Sequence, residues 1–331
     1  MTDLLKSPRA WFNAILLIAV ASVPVVAPML GQQFYINVFA RTMIWAIAAV
    51  SLNLIMGYGG MISFGHAVYL GIGGYTVGIM AFYGIDNAYI QWPVALALSA
   101  VFALIFGAIS LRTRGVYFIM ITLALAQMVY FLSVSAQKYG SDDGMTIESR
   151  SNFGLSWFDL EDRTTFYYFT FVILLICIFI AWRVVESRFG RAIRGAKSNE
   201  ARMEAIGFST YRYKLVAFVI AGTMCGLAGV LSANFEKYIS PDMMNWPRSG
   251  EMIFMVVLGG MGSLFGPVGG AIAFWGLSEV LAGITSHWHL IFGPFLVLVV
   301  LFARGGIDGL FSRRRGAPGG TPGEAHGGAH G

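Results

Sequence analysis

Long apolar runs separated by short polar segments set the pattern of this chain. A helix needs about 20 apolar residues to cross a bilayer, and nine runs approach or exceed that length. They are Trp11–Leu30, Phe34–Met56, Met61–Tyr83, Trp92–Leu111, Gly115–Val134, Phe166–Val185, Leu215–Ala233, Glu251–Gly283 and Trp288–Ala303. The pattern predicts an all-α polytopic membrane protein.

One of these runs is too long and too interrupted to be a single crossing. Glu251–Gly283 spans 33 residues and contains the sequence GGMGSLFGP at residues 259–267. We interpret it as two elements, one of them short or re-entrant, because glycine-broken segments occur in membranes only where protein or a cavity satisfies the backbone. The predicted total becomes about ten transmembrane helices, an even number that keeps both termini on one side.

Basic residues in the short loops predict the orientation, because Lys and Arg near helix ends resist translocation. The segments expected in the cytoplasm are Lys6 with Arg9, Arg112 with Arg114, residues 186–214 and Arg313–Arg315. Residues 135–165 carry more acids than bases and are predicted to form a periplasmic loop that holds a small helix or turn. We expect one transmembrane domain over residues 1–310, cytoplasmic N and C termini, and a disordered, Gly/Pro-rich tail over 311–331.

Residues 186–214, hereafter the basic loop, are more organised than a simple connector. They carry seven Lys or Arg against three acids. Ser198 or Asn199 can cap a helix, Glu200 suits its positively charged first turn, and Gly207 can end it. The loop therefore predicts a helix of about two turns outside the bilayer, which a motor subunit could grip.

Two glycine-rich breaks, Gly57–His66 and residues 259–267, share the pattern Gly-Gly-Met-x-Ser-(Phe/Leu). Paired, glycine-broken segments in the two halves of a membrane protein point to a central substrate path. The alternative is close helix packing through small residues, and His66 either lines the path or hydrogen-bonds a freed carbonyl. The residues predicted to line the path are Gly57, Gly59, Gly60, Ser63, Gly65, His66, Gly259, Gly260, Gly262 and Ser263.

Composition excludes several other functions. Hydrophobic residues make up 57% of the chain and charged residues 12%, against about 25% charged residues in soluble domains. The net charge of +5 does not indicate nucleic-acid binding, because the basic residues lie in short loops and tails. Cys177 and Cys225 lie in apolar runs and predict neither a disulfide nor a metal site.

Motifs for ATP binding and catalysis are missing from the sequence. It contains no GxxxxGK[ST] phosphate loop, no HExxH and no GxSxG. We therefore predict no catalytic residue in this chain, and any ATP that drives it must bind to another subunit. The spans also lack the chain of carboxylates typical of ion-coupled carriers, which weighs against a secondary carrier.

Several stretches resemble the LivM-type permease of branched-chain amino acid ABC transporters. In the basic loop they are Phe189–Arg194, Asn199–Ala201 with Gly207, and Tyr213–Leu215. Elsewhere they are Ser51–Gly60 with Ser63–His66, Gly226–Gly229, Ile239–Pro241, Gly259–Ser263 with Gly266 and Pro267, His287 with Trp288, and Phe302–Gly306. The resemblance covers roughly residues 40–310.

The resemblance implies a multi-pass permease of the bacterial inner membrane that binds no cofactor itself. Its partners would be a second, LivH-like permease, two ABC ATPases (LivG-like and LivF-like) that use ATP and Mg, and a periplasmic solute-binding protein. No nucleic-acid partner is implied. The expected activity is alternating-access import of branched-chain or related amino acids. Urea or short-chain amides are alternative solutes, and a secondary carrier or a structural subunit without a path are alternative functions.

The resemblance also implies a coupling helix at residues 199–207. The residues predicted to couple this chain to the ATPases are Arg191, Asn199, Glu200, Ala201, Glu204, Ala205 and Gly207. The sequence departs from the Glu-Ala-Ala…Gly pattern of ABC importers. Arg202 follows Ala201, where a second Ala is expected, and Gly207 comes one position late. The helix as a whole is thus a stronger prediction than any single residue in it.

Overall fold

The computed structural model describes residues 8–29, 33–154 and 159–284, together with positions 287, 290, 292–294 and 306. Its α-helices are α1 (Pro8–Met29), α2 (Phe34–Asn53), α3 (Ala67–Phe82), α4 (Ala88–Ser110), α5 (Val116–Val134), α6 (Arg163–Glu186), α7 (Arg188–Ser198), α8 (Glu200–Ala205), α9 (Thr210–Glu236), α10 (Trp246–Gly259) and α11 (Gly266–Ile284). A π-helical turn, Leu54–Tyr58, extends α2. Strands β1 (Met145–Thr146) and β2 (Tyr238–Ile239) pair antiparallel, with Met145 opposite Ile239.

Five of the described helices are long and apolar enough to cross a membrane. They are Phe34–Tyr58, Ala88–Ser110, Val116–Val134, Arg163–Glu186 and Thr210–Glu236. The predicted all-α polytopic membrane fold is therefore confirmed. Most of the predicted run Trp288–Ala303, the tail 311–331 and both termini lie outside the described residues, so the count of ten and the side of the termini stay predictions.

The long run Glu251–Gly283 is two helices, as predicted. Helix α10 begins at Trp246, earlier than the apolar run itself, because Asn245 caps it through a 2.9 Å bond from the Trp246 N–H. It ends at Gly259, and α11 starts at Gly266. The non-helical gap between them consists of Gly260, Met261, Gly262, Ser263, Leu264 and Phe265.

Helix α9 forms the centre of the bundle and packs against α2, α3 and α4. Glycines allow the backbones to meet directly. A methyl group on Gly73 would overlap the carbonyl of Gly226, and one on Gly229 would overlap the carbonyl of Leu70. Helix α2 is also central, with 83% of its span buried, whereas α5 is only 17% buried and forms an outer face.

Residues 135–165 and the basic loop lie at opposite ends of α9. Ser151 donates its N–H to Asn234 Oδ1 at 2.7 Å, and Arg150 Nε donates to the Asn234 carbonyl at 2.8 Å, both near the C-terminal end of α9. The basic loop leads into Thr210 at the other end. The 27 residues of α9 span roughly 40 Å at the helical rise, enough to separate the two loops across a bilayer.

The α3–α9 contact should tolerate no added side chain. Gly73→Ala places a methyl group against backbone, and overpacking of this kind lowers the unfolding midpoint by roughly 5 °C or more. The measurement is thermal unfolding of the purified protein in detergent. Gly276→Ala is the matched control, because no atom of the described residues lies within 4 Å of the added carbon. Equal midpoints for the two variants would contradict the packing described here.

Candidate functional site

The first glycine break begins within the π-helical turn at the end of α2. The chain leaves the helix at Gly59 and re-enters one at Ala67. Gly60 has φ +71°, a conformation that costs glycine little. Single π-turns of this kind often occur at functional sites. The helix interruption predicted from the sequence is present.

The second break contains two more glycines with positive φ, a backbone conformation that strains other residue types. Gly260 has φ +110° and Gly262 has φ +79°. Gly259 lies so close to Gly266 that a methyl group would overlap its carbonyl. The two glycine breaks therefore share a backbone conformation as well as a sequence pattern. In both, glycine permits a positive φ and a close approach of another backbone segment.

Asn53 joins the two breaks. Its Nδ2 donates to the Ser263 carbonyl at 2.8 Å, and its Oδ1 accepts from the Gly262 N–H at 3.0 Å. Gly57 lies against the same segment, with the Gly262 nitrogen 2.6 Å from where a Cβ would stand. Asn53 is 2% exposed. Segments about 200 residues apart thus form one site, which we call the break junction.

Sequence reasoning did not single out Asn53. The available signal was a polar residue inside an apolar run, together with nearby Ser51. A buried side-chain amide needs partners for both its donor and its acceptor. The freed backbone of the second break supplies both.

Most of the predicted path residues are buried in this conformation. Among those at the first break, Gly60 is exposed, whereas Gly57, Gly59, Ser63, Gly65 and His66 are buried. At the second break Gly259 and Gly260 are buried, and Gly262 and Ser263 are half-buried. Close packing, the alternative considered for these glycines, describes this state, and the lining of a path stays a prediction.

His66 belongs to the core. Its Nε2 lies 2.9 Å from Ser51 Oγ, and its ring meets the Tyr69 ring edge-on at 5.5 Å. Its Nδ1, like the hydroxyl of Ser63, has no hydrogen-bond partner within the part of the chain that the structure describes. Buried polar atoms normally have partners, so these two atoms mark a place where the core is not fully satisfied.

The basic loop contains two helices. The short helix predicted between 199 and 207 is α8, and Asn199 is its cap, accepting the Arg202 N–H at 2.9 Å. Gly207 follows it with φ +90°, as expected for a residue that ends a helix. Helix α7 was not predicted, although its buried Ala192, Ile193 and Ala196 have helical spacing.

Helix α8 is fixed to the start of α9 through its acidic residues. Glu200 accepts from Lys214 Nζ at 2.6 Å and lies 3.3 Å from Arg114 Nε. Thr210 Oγ1 donates to Glu204 at 2.8 Å. Of the predicted coupling residues, Glu200 and Glu204 therefore hold α8 in place, and Asn199 caps it. Arg191, Ala201, Ala205 and Gly207 are exposed and available to a partner.

The charge on Glu200 is stabilised by its surroundings. Partial burial alone would raise its pKa, but the hydrogen bond and charge of Lys214, the hydroxyl of Thr210 and the charge of Arg114 outweigh it and lower the pKa below the usual value. A lowered carboxylate pKa means that the ion pair is present above the ordinary glutamate range and is lost as pH falls through the lowered value. The anchor is thus intact near neutral pH.

A cavity of about 840 Å³ lies beside this anchor. Its walls come from Gly59–Ile62, the α4–α5 turn, the α7–α8 junction and the start of α9. The charged residues on its walls are Arg112, Arg114, Lys197, Lys214, Glu200 and Glu204. The cavity connects the exposed part of the first break with the basic loop. No cluster of His, Cys, Asp or Glu that could hold a metal occurs among the described residues.

These features define a class of protein. Broken helices that meet inside an apolar helical bundle, with a structured polar loop at one end, are typical of membrane transport permeases. The chain belongs to the family described as branched-chain amino acid transport system / permease component, whose model matches residues 34–302. The family resemblance inferred from the sequence is confirmed.

Individual relatives agree with the family. The chain is 26% identical to the high-affinity branched-chain amino acid transport system permease protein LivM of Salmonella typhimurium, over 90% of this chain and 74% of that protein. LivM of Escherichia coli K12 is also 26% identical, over 88% of this chain and 74% of the relative. The permease protein LivH of Salmonella typhimurium is 25% identical, over 80% of this chain and 91% of the relative. No solved structure matches significantly.

Removing the Asn53 amide should loosen the break junction. In Asn53→Ala, the Gly262 N–H loses its acceptor, and we expect its hydrogen exchange to rise about tenfold or more. Exchange measured by mass spectrometry on peptides covering 259–266 reports this. Thr42→Val in the same helix is the control, because among the described residues the Thr42 hydroxyl bonds only to the Val38 carbonyl of α2. Unchanged exchange in Asn53→Ala would show that the amide does not hold the second break.

Proposed function

We propose that this chain is one permease half of an ATP-driven importer of branched-chain amino acids. The observation that carries the proposal is the anchoring of α8, whose Glu200 and Glu204 bind the start of α9. An exposed helix fixed rigidly to the central helix of a bundle can transmit force from a partner. The family and its LivM relatives supply the solute class.

The proposed partners follow from that role. A second, LivH-like permease would complete the path, and two ABC ATPases would bind the exposed coupling residues Arg191, Ala201, Ala205 and Gly207. They would hold the ATP and Mg, since this sequence has no phosphate loop. A periplasmic binding protein would deliver solute at the opposite end of α9, beside residues 135–165. The complex would lie in the bacterial inner membrane.

In this mechanism the chain changes conformation and lines the path, and it catalyses no reaction itself. Closure of the ATPases displaces α8, and the Glu200–Lys214 pair carries the displacement into α9. Helix α9 packs along α2 and α3, the two helices that border the first break. When the breaks open, their exposed backbone polar groups would bind the amino acid. Helix N-termini would bind its carboxylate.

Purification through a tag on this chain tests the proposal. We expect two ATPases and a second permease to co-purify, and the reconstituted complex to take up labelled leucine only with ATP and binding protein. Excess unlabelled isoleucine should compete, and urea should not. Uptake by the purified chain alone, without ATP, would instead indicate a secondary carrier. Competition by urea or acetamide, with none by isoleucine, would move the solute class to amides.

The anchor itself gives a sharper prediction. Glu200→Gln removes the charge that Lys214 and Arg114 bind, and charge-assisted bonds of this kind are worth enough to lower uptake per ATP about tenfold. ATP hydrolysis by the complex should remain. Uptake and hydrolysis are measured in the same proteoliposomes.

Glu186→Gln is the matched control, since Glu186 is an exposed acid at the end of α6. It should leave both rates close to those of the unmodified complex. Normal uptake per ATP in Glu200→Gln would remove the anchor from the mechanism.

A further inference from the structure

A second contact ties the basic loop to the interior, and it involves a residue that neither the motif nor the family resemblance singles out. Lys197 Nζ donates to the Gly57 carbonyl at 2.6 Å. Lys197 is in the last turn of α7, and Gly57 is in the π-helical turn that ends α2. The contact joins residues 140 positions apart in the chain.

The Gly57 carbonyl needs this partner. The last carbonyls of a helix lack partners within it, and here two of them are taken by the chain that follows. The Met56 carbonyl accepts from the Gly60 N–H at 3.1 Å, and the Ile55 carbonyl accepts from the Met61 N–H at 3.0 Å. The Gly57 carbonyl accepts from Lys197. A positive charge at a helix C-terminus is also favoured by the helix dipole.

The stem of Lys197 has a fixed course over the first break. It runs across Gly60, with its Cγ 3.0 Å and its Cδ 3.6 Å from where a Cβ of that residue would stand. Gly60 is also exposed on the wall of the cavity. The absence of a side chain there gives the lysine its route to Gly57.

Lys197 must move when α8 moves. Asn199 ends α7, with its N–H bonded to the Gly195 carbonyl at 3.0 Å, and it caps α8 through its side chain. Met203 of α8 packs against Gly195 of α7, with its Sδ 2.8 Å from where a Cβ would stand. The two helices of the basic loop are therefore one unit, and Lys197 is at its junction.

The displacement does not stop at Gly57. Gly57 lies against Gly262, and Asn53, one helical turn earlier, holds Gly262 and Ser263. A displacement of the end of α2 would therefore also displace the second break. The contacts form a continuous series from α8 through α7, Lys197 and Gly57 to the break junction.

We propose that Lys197 is a positioning residue, which transmits movement of α8 to both glycine breaks through the Gly57 carbonyl. The inference rests on the proposed function for the source of the movement. In this proposal, the Lys197 side chain connects the surface that the ATPases would bind with the two glycine breaks that would open. The mechanism needs both the α8–α9 anchor and this link.

The test compares three variants in the purified complex. Lys197→Met keeps the stem and removes the charge and the donor, and we expect uptake per ATP to fall about tenfold while ATP hydrolysis continues. Lys197→Arg keeps a cationic donor and should retain at least about half of the uptake. Arg188→Met, at the exposed start of α7, is the control for charge loss in the same helix. Normal uptake per ATP in Lys197→Met would overturn the inference, as would equal loss in Met and Arg variants.

A second measurement keeps the inference testable if the solute has been misassigned. Hydrogen exchange is followed in the complex with and without a non-hydrolysable ATP analogue. In the unmodified complex the analogue should change exchange at 57–66 and 259–266, and in Lys197→Met this change should be lost while residues 199–206 still respond. A response at the breaks that survives in Lys197→Met would overturn the link. Absence of leucine uptake by the unmodified complex, with this exchange pattern intact, would overturn the solute assignment alone.

Discussion

Backbone polar groups that leave a helix inside a membrane must find partners within the protein, because lipid offers none. The whole site follows from this constraint. Two segments break their helices, and each break frees groups that the other half of the chain satisfies. Asn53 takes the donor and acceptor of the second break, and Lys197 takes a carbonyl of the first. The hydrogen bonds that satisfy the freed backbone groups therefore also hold the two breaks in place.

Such a junction favours two-state behaviour over gradual deformation. Gly57, Gly259 and Gly266 pack backbone against backbone, so the breaks have little room for small adjustments. Any movement must exchange one set of partners for another. The Ser63 hydroxyl and His66 Nδ1, which have no hydrogen-bond partner among the described residues, are groups that could gain partners in a second arrangement. Interfaces of this kind amplify a small displacement at a remote end.

Local chemistry was predictable from the sequence, and long-range pairing was not. Asn199 and Gly207 define α8 through residues adjacent to it, so a capped helix could be predicted with no knowledge of the fold. The glycine breaks were visible for the same reason. The contacts of Asn53 with Gly262, and of Lys197 with Gly57, depend on how the bundle folds, and nothing in the local sequence around any of the four residues indicates its partner.

For His66 both interpretations stay open from the sequence, and burial against Ser51 and Tyr69 supports a packing role in this conformation. Helix α7 is different, because its apolar spacing is present in the sequence but is masked by the stronger charge pattern of the same segment.

The central claim is that the basic loop and the first break move as one body. Spin labels at Ala205 of α8, at Ile62 of the first break and at Glu148 of the opposite loop, all exposed, allow pulsed dipolar distances to be measured in the assembled complex with and without trapped nucleotide. The account predicts that the Ala205–Ile62 distance stays constant while the Ala205–Glu148 distance changes. A change in the Ala205–Ile62 distance as large as the change in the Ala205–Glu148 distance would contradict it.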